Sequence, residues 1–148
     1  MDYQIQIVEV AQLDTAVVRG HVAHDAIGQF LGKAFGEVLG VVGAADVAGP
    51  PFARYVMTDE GWEIEGGFPV HAPIAGSGRV EAATLPGGMV ASTVHVGSYL
   101  ELGKAYAAIK TWLADNGYLA TGAPWEAYLD EPTVDAPRTL VVSPCTTA

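Results

Sequence analysis

The segment Pro124-Trp125-Glu126-Ala127-Tyr128-Leu129 sets one carboxylate between two large aromatics in a stretch that reads as a β-strand. Alternation along a strand puts Glu126 and Tyr128 on one face and Trp125, Ala127 and Leu129 on the other. An ionised group on an apolar sheet is costly unless something pairs with it. Two kinds of chemistry suit such a group. As a binder, a desolvated carboxylate attracts a cation far more strongly than it would in water, and Trp or Tyr faces add cation–π attraction of roughly 0.5–2 kcal/mol. As a catalyst, a buried Glu126 would have its pKa raised towards neutrality and could take a proton from an attacking water. A phenol such as Tyr128 or Tyr55 could then donate a hydrogen bond to the leaving oxygen or carbonyl. The bland alternative is a solvated Glu on an edge strand.

The segment has an echo. Pro51-Phe52-Ala53-Arg54-Tyr55-Val56 lies 73 residues earlier (124 minus 51) and matches it Pro for Pro, aromatic for aromatic and Tyr for Tyr. Ala53 stands where the later copy has Glu126. A duplicated scaffold with a carboxylate in only one copy points to a use other than the fold.

The elements around these segments repeat as well. Alternating apolar residues predict strands over 3–10 and 15–22, and a helix follows from about Asp25, a plausible N-cap. Its stripe of Ile27, Phe30, Leu31, Ala34, Phe35, Val38 and Val42 ends at Gly43. A hairpin over 52–57 and 62–70 completes the first half. The second half has strands over 79–85 and 89–96. Its helix is opened by the capping box Ser98-Tyr99-Leu100-Glu101 and carries Tyr99, Leu102, Tyr106, Ile109 and Leu113 inward. Strands over 125–129 and 138–142 end the chain. The expected class is therefore α+β: a duplicated strand-strand-helix-strand-strand unit, residues 1–72 and 79–148, within a single domain over 1–148. The Pro/Gly-rich stretch 72–78 is the expected joint. Val18 aligns with Val94 and Phe30 with Tyr106, both at a spacing of 76. Two such halves imply a mostly antiparallel, twisted sheet with both helices on one face and the other face free. Trp125 is then expected to pack under the helices. Gly28, Gly32, Gly36 and Gly40 form a small-residue stripe that admits a close neighbour or reflects composition alone.

Composition narrows the function. Half of the 148 residues are hydrophobic and 16% are charged, a globular balance. The net charge of −10 repels a phosphate backbone, so nucleic-acid binding by this chain alone is not expected. It favours cationic partners, although an acidic surface also serves solubility. The single Cys145 excludes an internal disulfide, in keeping with the cytoplasm. No 18-residue apolar span or signal peptide is present, so no membrane partner is expected. His21, His24, His71 and His95 show no metal-pair spacing, and no metal or cofactor is expected.

Glu65-Gly66-Gly67-Phe68-Pro69-Val70, Leu85-Pro86-Gly87-Gly88, His95-Val96-Gly97-Ser98-Tyr99 with Leu102, and Pro124-Trp125-Glu126-Ala127-Tyr128 together resemble the GyrI-like small-molecule-binding domain. This is the effector-binding domain of many AraC-type and MerR-type bacterial activators, within the superfamily that includes SOUL haem-binding proteins. The resemblance covers essentially the whole chain. It implies a duplicated α+β fold with a ligand cleft on a pseudo-two-fold axis. It also implies that Glu126 lies at the base of an aromatic cup; in multidrug-sensing relatives that carboxylate faces lipophilic cations. Tyr55, Tyr128, Trp62, Phe68 and Met57 are candidates to wall that cup, with plain core packing the alternative for each. Glu65 is a candidate second acidic wall or a solvent-facing residue, and Tyr99 a further candidate ligand contact whose default role is packing. Some relatives are hydrolases that open strained cyclopropane rings with the buried Glu, which would make Glu126 and Tyr128 catalytic. The first strand begins within a few residues of Met1, so no helix-turn-helix is expected ahead of the domain.

The expected function is thus capture or sensing of a lipophilic, cationic or planar small molecule. A cyclopropane hydrolase is the runner-up, and a gyrase-inhibitor-like protein-interaction module is a third class. A homodimer and a separate regulatory partner both stay open.

Overall fold

Apolar residues three and four apart give two one-sided helices, α1 (Ile27–Val42) and α2 (Leu102–Asp115). α1 buries Leu31, Ala34 and Val38; α2 buries Leu102, Ala105, Ile109 and Leu113. The computed structural model describes residues 3–58 and 61–148, without the side chains at 24, 57, 58 and 62. A single 3-10 turn leads into each helix, at His24–Ala26 and Tyr99–Glu101. No side chain caps the first of these turns, so Asp25 is not the expected N-cap. Half of the second capping box forms: Ser98 Oγ accepts the Leu100 amide at 3.2 Å. Glu101 instead pairs with Lys104 one turn on, at 2.8 Å. α1 stops at Gly43, whose φ of 77° suits glycine and whose amide returns to the Leu39 carbonyl.

The described residues form nine strands: β1 (Gln6–Val10), β2 (Leu13–Gly20), β3 (Phe52–Thr58), β4 (Gly61–Pro69), β5 (Glu81–Leu85), β6 (Gly88–Val96), β7 (Tyr118–Ala120), β8 (Trp125–Tyr128) and β9 (Arg138–Thr147). All the ladders described are antiparallel. The class is α+β with two long helices, as the sequence implied; β7 and the second half of β9 were not expected. Among the described residues no helix is long and apolar enough to cross a membrane.

The chain forms two compact units, residues 12–86 and residues 1–11 with 87–148. The first orders its strands β3-β4-β2-β5 and carries α1; the second orders them β1-β6-β9-β8, with β7 on the far part of β9, and carries α2. The units therefore part after Ala11 and after Pro86, not within 72–78. The cause is strand exchange: β1 pairs with β6 and β5 with β2, so the first strand of each sequence half completes the other half's sheet. The 72–78 stretch folds onto the α1 unit instead. Ile74 packs against the cluster of Ala16, Val18, Ala34, Val38 and Val80, and Ser77 and Val80 close a two-way backbone bridge.

The ladders also fix the internal register. Thr15–Ala83 and Val8–Val90 are equivalent pairs, as are Ala16–Phe68 and Ala91–Ser143. Their spacing is 75 (83 minus 8, 90 minus 15, 91 minus 16, 143 minus 68), not the 76 read from the sequence. A slip of one residue exchanges the faces of a strand. Val18 lies in the cluster beneath α1, whereas Val94 is exposed; the true counterpart of Val18 is Thr93. Ala53 pairs with Gly66 and Glu126 with Val141, so the equivalence of Ala53 and Glu126 holds at 73. The Gly66-Gly67 pair has a packing cause. A Cβ at Gly67 would lie 1.9 Å from the Ala16 carbonyl oxygen, and one at Gly66 would lie 2.7 Å from Leu31 Cδ2. These glycines let β4 approach β2 and α1 closely.

Candidate functional site: a carboxylate held by two tyrosines

Glu126 and Tyr128 stand opposite Val141 and Thr139 across the β8–β9 ladder. Cross-strand partners share a face, and Val141 belongs to the apolar cluster of Leu102, Ala105, Ile109 and Leu113. Glu126 and Tyr128 therefore project from the face that α2 covers, while Trp125 lies on the opposite face, paired with Val142. This reverses the expectation that Trp125 packs under the helix. The reason is a donor supplied by the helix itself. Tyr106 on α2 donates its hydroxyl to Glu126 Oε1 at 2.6 Å, and Tyr128 donates to Oε2 at 2.6 Å. Both contacts have the length of a charge-assisted O–H···O bond. With a donor on each oxygen, the carboxylate tolerates a position only 4% exposed.

Tyr99 completes the aromatic surround. It occupies the 3-10 turn before α2 and meets Tyr128 edge to face, with ring centroids 5.6 Å apart. Burial pushes its phenol pKa up, and the carboxylates of Asp130 and then Glu126 add to that shift. Asp130 follows β8 and is clamped by Arg138 at the start of β9: it accepts the Arg138 amide and Nε, each at 2.9 Å. This pair joins the two ends of the β8–β9 connection. The arrangement presents a desolvated, oriented carboxyl group among three phenol rings.

The structure thus brings Glu126, Tyr128 and Tyr99 together, all in the α2 unit. The other proposed residues lie in the α1 unit. Phe68 packs beneath α1, edge to face with Phe35 at 5.6 Å. Tyr55 is half-buried on β3, two residues from Ala53 on the same strand face. Glu65 is buried and ion-paired, 2.8 Å from Arg19 Nε and 3.8 Å from Arg54. The side chains of Met57 and Trp62 lie outside the described residues. Tyr106 was read from the sequence only as an inward-facing helix residue. Its signal was present in the repeat: at the spacing of 75 it stands where the first copy has Leu31, so a donor and an acceptor appear in the same copy together.

His95 is buried and bonded at both ring nitrogens. Its Nε2 faces the Ser98 carbonyl at 2.9 Å, which requires an N–H there, and Nδ1 then accepts from the Tyr3 hydroxyl at 2.8 Å. Among the described residues no group of three or more His, Cys, Asp and Glu side chains is placed to hold a metal ion.

The sequence matches the model of the GyrI-like small molecule binding domain over residues 3–143. No curated protein matches it. Among solved structures, the EcmrR C-terminal domain superposes with a TM-score of 0.85 at 21% identity, covering 100% of both chains. SAV2435 bound to tetraphenylphosphonium gives 0.69 at 13% identity, covering 99% of this chain and 94% of that one. A hydrolase from Listeria innocua gives 0.65 at 15% identity, covering 97% and 92%. At these identities the structural likeness concerns the fold. The family match spans nearly the whole sequence, and the chain belongs to the GyrI-like small molecule binding domain family.

Proposed function

We propose that this chain captures lipophilic cations or planar aromatic molecules, with Glu126 as the charged anchor and Tyr99, Tyr106 and Tyr128 as the contact surface. The observation that carries this reading is the buried carboxylate held by two phenol hydroxyls at 2.6 Å. A hydroxyl bonds a carboxylate oxygen without bringing a counter-charge of its own, and low dielectric strengthens the attraction of a carboxylate for a cation. Ring faces add roughly 0.5–2 kcal/mol for each well-placed cation–π contact. The fold likeness to SAV2435 bound to tetraphenylphosphonium supports the same ligand class.

Calorimetric titration with tetraphenylphosphonium tests it, with neutral triphenylphosphine oxide as control. Wild type should bind the cation saturably, and Glu126→Gln should weaken it at least tenfold while leaving the neutral control unchanged. Equal affinity of both proteins for the cation would remove Glu126 from the account.

A second reading, hydrolysis of a cyclopropane-containing ligand, draws on the same short hydroxyl–carboxylate contacts and on the likeness to a hydrolase. Glu126 would take a proton from water as the oxygen adds to a ring carbon. The breaking carbon–carbon bond would pass its electrons to a conjugated carbonyl oxygen, protonated from Tyr128. A product heavier by one water, formed by wild type and not by Glu126→Gln, is the expected mass-spectrometric result.

A further inference from the structure

Two hydrogen-bonded sets meet on the α2-covered face of the β6-β9-β8 sheet. One joins Tyr106, Glu126 and Tyr128 through two contacts of 2.6 Å. The other joins Tyr3, His95 and the Ser98 carbonyl through contacts of 2.8 and 2.9 Å. Thr139 on β9 stands between them, pairing with Tyr128 across one ladder and with His95 across the other. Cross-strand partners share a face, so these three side chains form one row. Glu126 pairs with Val141, two residues along β9, which makes Thr139 its diagonal neighbour.

Both ring nitrogens of His95 and the hydroxyl of Tyr128 are engaged, but that of Thr139 is not. Thr139 is 0% exposed, and its Oγ1 has no hydrogen-bond partner among the described residues. A buried hydroxyl left unmet opposes folding, so its presence calls for a use. Thr93, on the same face of β6, shows the usual outcome: it is buried and donates to the Gln4 carbonyl at 2.8 Å. The first copy shows what the fold itself needs. There Tyr55 pairs with Ile64, 73 residues before Tyr128 (128 minus 55) and 75 before Thr139 (139 minus 64). Ile64 is also 0% exposed, so the position takes a branched side chain without any hydroxyl. The hydroxyl occurs only in the copy that carries Glu126 and Tyr106.

We propose that Thr139 is a specificity-determining residue of the Glu126 site, donating its hydroxyl to a neutral oxygen of the captured cation. The preferred ligand carries a carbonyl, amide or ether oxygen about 7–8 Å from its positive centre, the diagonal spacing of the two strand positions. The acceptor is neutral because an anionic oxygen would face the Glu126 carboxylate across a poorly screened distance. This inference rests on the capture reading and names which cations that site favours.

The probes are two triphenylphosphonium cations whose fourth arm is 4-acetylphenyl or, at the same size without the oxygen, 4-isopropylphenyl. In calorimetric titration wild type should bind the acetyl cation about fivefold more tightly, the worth of one neutral hydrogen bond. Thr139→Val, close in shape, should weaken the acetyl cation alone and equalise the two, whereas Thr139→Ser should keep the preference. Glu126→Gln should weaken both cations together. Without probe, Thr139→Val should leave the urea midpoint unchanged or raise it. Equal wild-type affinities for the two cations, both weakened by Glu126→Gln, would overturn the role of Thr139 and leave the capture reading standing. A preference that survives in Thr139→Val would assign the oxygen to another donor and overturn it. A lowered urea midpoint in Thr139→Val would give the hydroxyl a structural use and overturn it likewise. Failure of wild type to bind either cation would overturn both readings at once.

Discussion

Glu126 in the α2 unit and Glu65 in the α1 unit are both nearly excluded from water, at 4% and 6% exposure, yet they are held in different ways. Glu126 lies on the helix-covered face with phenol hydroxyls on both oxygens. Glu65 lies on the other face of its sheet, against Arg19 at 2.8 Å and Arg54 at 3.8 Å. The ion-paired set has no counterpart in the other copy, and of the phenol-held set only Tyr128 has one, Tyr55. At the register of the ladders, Glu65 and Arg19 correspond to Leu140 and Val94, and Arg54 to Ala127; Glu126 and Tyr106 correspond to Ala53 and Leu31. Each buried carboxylate occurs only in the copy that also supplies Tyr106 or the two arginines, because a buried charge without its partners costs more than the fold can spare. The guanidinium set neutralises its carboxylate and serves stability. The phenol set orients its carboxylate with a neutral donor on each oxygen.

The strongest way to break this comparison is to move the charge without its partners. Ala53 is 0% exposed beneath α1, so Ala53→Glu should cost about 3 kcal/mol or more in urea unfolding. Adding Leu31→Tyr should recover about 1 kcal/mol or more, since Tyr55 already stands where the other copy has Tyr128. A double mutant no more stable than Ala53→Glu alone would show that the tyrosine set is not what permits the charge. Next in size, Arg19→Met leaves Glu65 with a partial partner and should destabilise by about 2 kcal/mol, less than a fully buried pair because Arg19 is partly exposed. It should leave tetraphenylphosphonium affinity unchanged. Glu126→Gln should do the opposite, and a variant that moves both quantities would merge the two roles the comparison separates.

The sequence carried one side of this contrast further than the other. The pairing of Glu126 with Tyr128 was legible because strand alternation is local and both residues lie on one short strand. Tyr106 was not, because its partner is twenty residues away and reachable only once α2 lies over β8. The face assignment failed for a related reason. Apolar Trp125 looked like the residue for the helix, yet both faces of β8 are buried, and hydrophobicity alone cannot choose between them. The register of 76 paired two valines of similar type; only the hydrogen-bond ladder reveals that Val18 answers to Thr93. Strand exchange between the units has no local signature, since 72–78 reads as a linker whichever sheet β5 joins.

A finer test concerns the hydroxyls themselves. Tyr106→Phe and Tyr128→Phe each remove one donor from a buried carboxylate and should each cost about 2 kcal/mol. Because both act on one group, the double mutant should depart from additivity by at least 0.5 kcal/mol. Strict additivity would mean that the two phenols do not share Glu126 as a common acceptor.

The smallest expected effect separates the units by pH. β8 and β9 are joined by residues 129–137, and Arg138 clamps that connection to Asp130 beside Tyr99. The Arg138 side-chain and backbone hydrogen bonds, with a smaller charge attraction, hold the Asp130 carboxyl below its usual range. A carboxyl with a depressed folded-state pKa binds its proton more readily in the unfolded chain. Its contribution is therefore present above the ordinary Asp value of about 3.9 and disappears as pH falls through the lower, folded value. Asp130→Asn should lower the melting temperature slightly and by a constant amount from pH 7 to pH 5, and the gap should close below about pH 4. The clamp is at the surface, so 1 M salt should narrow the gap at neutral pH as well. A gap that persists at low pH would mean that hydrogen-bond geometry, rather than the charge on Asp130, holds the connection in place.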